Sequence, residues 1–176
     1  MSEQHNRERE VIASLSTALH AALTRREVMS VILDQLFYHL KPDGALIVMR
    51  DPKTNEMLIE LERGVWKDGT GIHLPPGVGV SGYVITTGMP YLNNDAKSDP
   101  RFMRPEIAGY LKAVACVPLI DEGKTIGALW IGREHDITED AVQLLMLMSE
   151  VITPAIQRVT QEDYGYREDD RDPEGD

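Results

Sequence analysis

An α+β domain, built on a central antiparallel sheet with N- and C-terminal helices packed on one of its faces, is the fold class this sequence predicts. Apolar residues recur at helical spacing near both ends of the chain, and between them short β-rich runs come in pairs joined by polar turns. A helix buries one stripe and a sheet one face, so helices flanking a run of hairpins are most simply packed together on that sheet.

The elements follow in order. Ile12, Leu15, Leu19 and Ala22 stand at spacings of three and four on a segment of good helix formers, one apolar stripe. Thr24-Arg25-Arg26-Glu27 then has the capping-box pattern, in which the Thr hydroxyl and the Glu carboxylate each satisfy an orphan amide. It starts a second helix over 25–40, with Val28, Val31, Ile32, Leu36 and Leu40 inward. Lys41-Pro42-Asp43-Gly44 is a turn, and two strands over 45–50 and 57–63 form a hairpin around the polar stretch 51–55. A Gly/Pro-rich loop leads to a short helix over 78–87, an extended piece at Tyr91-Leu92 and a mixed region to Leu111. Two more strands, 113–120 and 124–132, turn at Asp121-Glu122-Gly123. Asp136-Ile137-Thr138-Glu139 opens the last helix, with an acid at its cap and others in its first turn to suit the helix dipole. Ala141, Leu144, Leu145, Met148, Ile152, Ala155 and Val159 carry it to about residue 160, and Pro154 should bend it.

Composition sets the outer bounds. A chain of 176 residues has room for one domain with a genuine core. Residues 162–176 contribute −6 of the net charge of −11, and with glycines, a proline and no apolar periodicity they should form a disordered acidic tail. The expected division is therefore 1–24 as a helix for dimerisation, 25–160 as the domain and 161–176 as the tail. Nucleic acid is not an expected partner, because the longest basic run is Arg25-Arg26. The polar first ten residues lack a signal-peptide core and no apolar run approaches a membrane span, so a cytoplasmic protein without membrane contact is expected.

Motifs that carry chemistry are few. Gly77-Val78-Gly79-Val80-Ser81-Gly82 spells a dinucleotide-binding fingerprint, yet Pro75-Pro76 precedes it where a strand is needed and its helix meets Thr87-Gly88 too soon. The glycines read instead as a tight loop entering a short helix. Gly123-Lys124-Thr125 is likewise a hairpin turn, since Pro118 stands where a P-loop needs glycine. The five histidines are scattered and none pairs with another or with Cys116 at ligand spacing, so no metal is expected. Cys116, the single cysteine, lies in a small apolar run with no cationic neighbour and should be an inert, buried thiol.

The ordered series Pro75-Pro76-Gly77-Val78-Gly79-Val80-Ser81-Gly82, Thr87-Gly88-Met89-Pro90, Asn94-Asp95, Asp99-Pro100-Arg101-Phe102, Val117-Pro118-Leu119 and Thr125-Ile126-Gly127-Ala128-Leu129 resembles the GAF domain, a small-molecule sensing module of signalling proteins. The resemblance spans about residues 25–159 and implies a GAF/PAS-like sheet. It also implies a ligand cleft between the sheet and the segment 92–111. Asp95, Asp99, Arg101, Phe102, Ile107 and Tyr110 would supply its polar and aromatic groups, and Trp130 its floor. Asp99-Pro100-Arg101-Phe102 reads equally as a helix cap with a core plug.

Subgroup features narrow the implied activity. GAF-type free methionine sulfoxide reductases need a second cysteine, and bilin-binding members need a cysteine on the helix where this chain has Pro105-Glu106-Ile107-Ala108-Gly109-Tyr110, so neither catalysis nor covalent bilin is expected. Cyclic-nucleotide-binding members often carry Asn-Lys after the last strand, then Phe and a later Asp-Glu pair. Here Gly132-Arg133, Ile137 and Glu139-Asp140 stand there, so cyclic nucleotide stays open as a ligand without being favoured. The expected function is a non-enzymatic sensor that binds a small molecule, forms a homodimer through the stripes of its terminal helices and signals to a partner protein. The alternative is an interaction module with an occluded pocket.

Overall fold

A computed structural model describes residues 2–102 and 111–169, with side chains through residue 160. Helices α1 (Glu3–Ala21) and α2 (Arg25–Leu40) lead into strands β1 (Gly44–Arg50), β2 (Met57–Gly64) and β3 (His73–Leu74). Helix α3 (Gly79–Thr87), strand β4 (Tyr91–Asn93) and a 3₁₀ turn at Ala96–Ser98 follow. Strands β5 (Ala113–Asp121) and β6 (Lys124–Arg133) and helix α4 (Glu139–Asp169) complete the described chain. The six strands form one sheet in the order β3-β2-β1-β6-β5-β4, each pair antiparallel.

Alternation along the strands separates two cores. Ala45, Ile47, Ala115, Val117, Leu129 and Ile131 face α1, α2 and α4, so the terminal helices share one face of the sheet as the sequence predicts. Leu46, Val48, Cys116, Ala128 and Trp130 point to the opposite face, where α3 and the loop around Trp66 cover them. The capping box forms: Thr24 Oγ1 accepts from the Glu27 amide, and the Glu27 carboxylate accepts from the amides of Thr24 and Leu23.

Several expectations change in detail. The stripe of α1 is centred on Val11, Leu15 and Leu19, with Ile12 half-buried beside it. Thr138 rather than Asp136 caps α4, its hydroxyl accepting from the Ala141 amide, while Asp136 pairs with Lys112 at 2.5 Å. The last helix continues to Asp169, past the expected end near residue 160, and Pro154 lies within it. The remainder of the acidic segment, residues 170–176, lies outside the described residues. Strand β3 is added within the loop read as Gly/Pro-rich.

The apolar stripes of α1 and α4 are covered within one chain, since Val11, Leu15, Leu19, Met148, Ile152 and Val159 all lie in a single core. The homodimer inferred from uncovered stripes therefore loses that support.

Candidate ligand-binding site

The glycines of the 77–82 stretch build one wall. Gly77 and Gly79 have φ of +72° and +69°, a region where a side chain is strained. They turn the chain so that α3 starts with Val78 as its N-cap, a residue with no side-chain acceptor. Helix α3 rests directly on its own entry loop, because a Cβ on Gly82 would stand 2.2 Å from the Gly77 carbonyl carbon. This is the tight loop and short helix expected from the sequence.

Beneath α3 lies a cavity of about 70 Å³. Leu46, Val48, Ile59 and Leu74 come from the sheet, Val78 to Ser81 from the start of α3, and Trp66, Trp130, Phe102 and Arg101 close it. Trp130 is the floor: Trp66 and Phe102 meet it edge-on at centroid distances of 6.2 and 6.0 Å. The Trp130 indole Nε1–H donates to Ser81 Oγ at 2.9 Å in a buried bond linking β6 to α3.

A polar cluster stands at the rim. Asp99 accepts from Arg101 Nε and Nη2 at 3.1 and 2.9 Å, and from the Arg101 backbone amide at 2.9 Å. The Tyr91 hydroxyl donates to Asp99 at 2.6 Å and accepts from Asn93 Nδ2 at 3.0 Å. The Arg101 guanidinium lies 5.0 Å from the Tyr83 ring centroid and 5.7 Å from that of Tyr91, within cation–π range. Hydrogen bonds from Arg101, helped by that of Tyr91, hold the Asp99 carboxyl well below the usual carboxylate range against its burial. Burial, reinforced by the bond to Asp99, pushes the Tyr91 hydroxyl up to about 12. At neutral pH the cluster is thus a carboxylate–guanidinium pair with a neutral phenol.

Of the residues expected in the site, Arg101, Phe102 and Trp130 line the cavity. Asp99 acts on it through Arg101. Asp95 is exposed, and its backbone is held by Asn93 and Ser98 near the 3₁₀ turn, away from the lining. Ile107 and Tyr110 lie outside the described residues. Sequence reasoning missed Ser81 and Trp66 as cavity residues. Ser81 sat inside the glycine motif, and only its pairing with a residue 49 positions away gives it a role.

Among the described residues no group of His, Cys, Asp and Glu could hold a metal ion. Cys116 is fully buried, and burial pushes its thiol well above the ordinary value, the reverse of what a nucleophile needs. A wider depression of about 440 Å³ on the other side of the sheet contains Arg25, Arg50 and Glu60, but these bond to one another or to neighbours.

A family model described as the GAF domain matches residues 22–157. The chain belongs to the GAF domain family. Among solved structures it is similar to the GAF domain of a phosphoenolpyruvate-protein phosphotransferase from Coxiella burnetii, at 19% identity and a TM-score of 0.81, covering 93% of this chain and 99% of that one. It is also similar to the GAF domain of the Acinetobacter phosphoenolpyruvate-protein phosphotransferase, at 16% identity and a TM-score of 0.78, with coverage of 93% and 99%. The free methionine-R-sulfoxide reductase of Neisseria meningitidis, solved with its substrate, matches at 17% identity and a TM-score of 0.75, with coverage of 92% and 95%. At these identities the likeness is one of fold. Comparison with curated proteins gives no match. GAF domains are generally signalling or ligand-sensing modules, and the reductase shows that the fold can also carry an enzyme. No helix among the described residues is long and apolar enough to cross a membrane.

Proposed function

We propose that this GAF domain is a non-enzymatic sensor whose ligand enters the aromatic cavity beneath α3. The observation that carries the reading is the way the cavity is closed. Phe102 lies edge-on to Trp130, and among the described residues the adjoining Arg101 is held by exchangeable contacts to Asp99, Tyr83 and Tyr91. A ligand that displaces Phe102 trades one apolar cover for another and needs no core residue to unfold. Its effect passes through the sheet, because Cys116 and Trp130 face the cavity side while Val117, Leu129 and Ile131 on the same strands face the helices. The output is a change in how α1 and α4 are presented to a partner chain, by population shift between two helix packings.

A second reading rests on size. A cavity of about 70 Å³ is well below the roughly 300–1,000 Å³ of ligand pockets, which favours an interaction module with a filled pocket. Ligand screening by thermal denaturation separates the two. A ligand at a hundredfold excess over Kd stabilises by about 2.7 kcal/mol, which raises Tm by roughly 5–10 °C for a chain of this size. A native mass spectrum of the purified protein adds the mass of anything carried along. A bare chain that no metabolite class stabilises would sink the sensor reading.

A further inference from the structure

Two consecutive asparagines at the end of β4 serve opposite faces of the sheet. Tyr91 packs on the core beneath α3 and Leu92 on the core beneath the terminal helices, so period-two alternation puts Asn93 with the first and Asn94 with the second. Their contacts agree. Asn93 Nδ2 donates to the Tyr91 hydroxyl at 3.0 Å. Asn94 Oδ1 accepts from the Ile137 amide at 2.8 Å, and its Nδ2 donates to the Ile137 carbonyl at 3.2 Å. Ile137 is 1% exposed within the helix-side core, and the next residue, Thr138, caps α4. Asn94 thus pairs with the backbone just before the helix as a neighbouring strand would.

The bonds on the cavity side run in one direction. A backbone amide can only donate, and that of Asp95 donates to Asn93 Oδ1 at 2.8 Å, which leaves Nδ2 as the donor at the other end of the side chain. The Tyr91 oxygen accepts from it, and the Tyr91 hydrogen goes to Asp99, 2.6 Å away, which also holds Arg101. The Ile137 amide fixes the Asn94 side chain by the same logic. A line of side-chain bonds therefore joins the Arg101–Asp99 pair at the cavity rim to Asn93, and a single peptide link joins Asn93 to the residue that holds the start of α4.

The strand between the two networks is suited to move. It has three residues, lies at the edge of the sheet and is paired on one side only, with Val114 to Cys116 of β5. An edge strand has half the ladder of an inner one, and elements with few such contacts open at the least cost.

On the sensor reading above, we infer that β4 is a regulatory lever: opening the Asp99–Arg101 pair frees Tyr91 and Asn93 on the cavity face, and the strand carries the change to Asn94, which sets how the start of α4 is held on the other face. Arg101 adjoins Phe102, the side chain a ligand must displace, so ligand entry and the opening of that pair occur side by side. A bias at the rim thereby becomes a bias in the packing of α4.

The test is hydrogen exchange on the full chain, labelled with ¹⁵N and without added ligand, read at the Ile137 amide. The Glu134 amide is the control, because it lies in the same loop but donates to Asp43 Oδ2 at 2.8 Å. Tyr91→Phe keeps the ring and removes the hydroxyl that joins Asp99 to Asn93. It should speed Ile137 exchange roughly fivefold, the equivalent of one net hydrogen bond, and leave Glu134 within about twofold. On an Asn94→Ala background, where Ile137 has already lost its acceptor, Tyr91→Phe should add nothing.

Unchanged Ile137 exchange in Tyr91→Phe, or equal acceleration at Ile137 and Glu134, would overturn the lever, and both are read from the single variant even if Asn94→Ala folds poorly. An equal effect of Tyr91→Phe with and without Asn94 would overturn it too. Each of these results leaves the sensor reading standing, since that depends on whether a ligand stabilises the chain. The expected pattern in a chain that no metabolite class stabilises would uphold the lever and sink the sensor alone.

Discussion

Replacing Gly82 by alanine sets two effects of opposite sign against each other. In an exposed helix interior, Gly→Ala gains about 1 kcal/mol from helix propensity. Here the added methyl would lie 2.2, 2.5 and 2.8 Å from the carbonyl carbon, oxygen and Cα of Gly77. Carbon atoms pack at about 3.5–4.0 Å, so relief requires a loop movement of more than about 1 Å. The obstacle is backbone, and Gly77 is itself held at φ +72°. Overpacking of this kind costs typically 1–3 kcal/mol and occasionally more. With rigid backbone on the opposing side we place Gly82→Ala at or above the upper end, a net loss of about 2 kcal/mol after the propensity gain. Denaturant unfolding followed by circular dichroism should show this as a lower midpoint with unchanged slope, and Tm should fall by roughly 4–8 °C. A variant as stable as the wild type, or more so, would refute the seating of α3 on its entry loop, and with it the geometry that places Gly79–Ser81 on the cavity.

Leu15→Ala removes a fully buried side chain from α1 and should cost about 2–5 kcal/mol. That loss should not vary with protein concentration, because the core around Leu15 belongs to one chain; a concentration-dependent midpoint would restore the dimer. The Asp99 carboxyl is held below its unfolded value near 3.9, so its contribution is present at neutral pH and disappears as pH falls from about 4 toward and below 2. The stability gap between wild type and Asp99→Asn should therefore narrow through that range on acid titration, and a gap that widens would contradict the pairing. The same variant should bring the Tyr91 phenol down from about 12, read by ultraviolet titration, since Asp99 is one of the groups raising it. Cys116 should resist thiol reagents until the chain unfolds; stoichiometric labelling of the native protein would reopen a thiol chemistry.

The periodicities at 28–40 and 141–159, the capping box at Thr24 and the paired strands were legible because each rests on neighbours within a few residues, where spacing alone selects a helix or strand face. The order of motifs from Pro75 to Leu129 carried the family for the same reason: each piece is a local turn, cap or strand. Cys116 was legible too, as a small residue in an apolar strand.

What the sequence could not settle was which apolar faces cover one another. The α1 and α4 stripes looked unpartnered in one dimension, yet the sheet and α2 bury them inside a single chain. Asp95 and Asp99 looked alike, and only the fold brings Asp99 under Arg101 and Tyr91 while leaving Asp95 exposed. Most of the site belongs to this second kind. Ser81 and Trp130 meet because β6 runs beneath the first turn of α3, a juxtaposition fixed by strand order and by the close approach of Gly82 to Gly77. Local propensity determined the elements, whereas long-range packing of the sheet against α3 decided which polar groups were buried together.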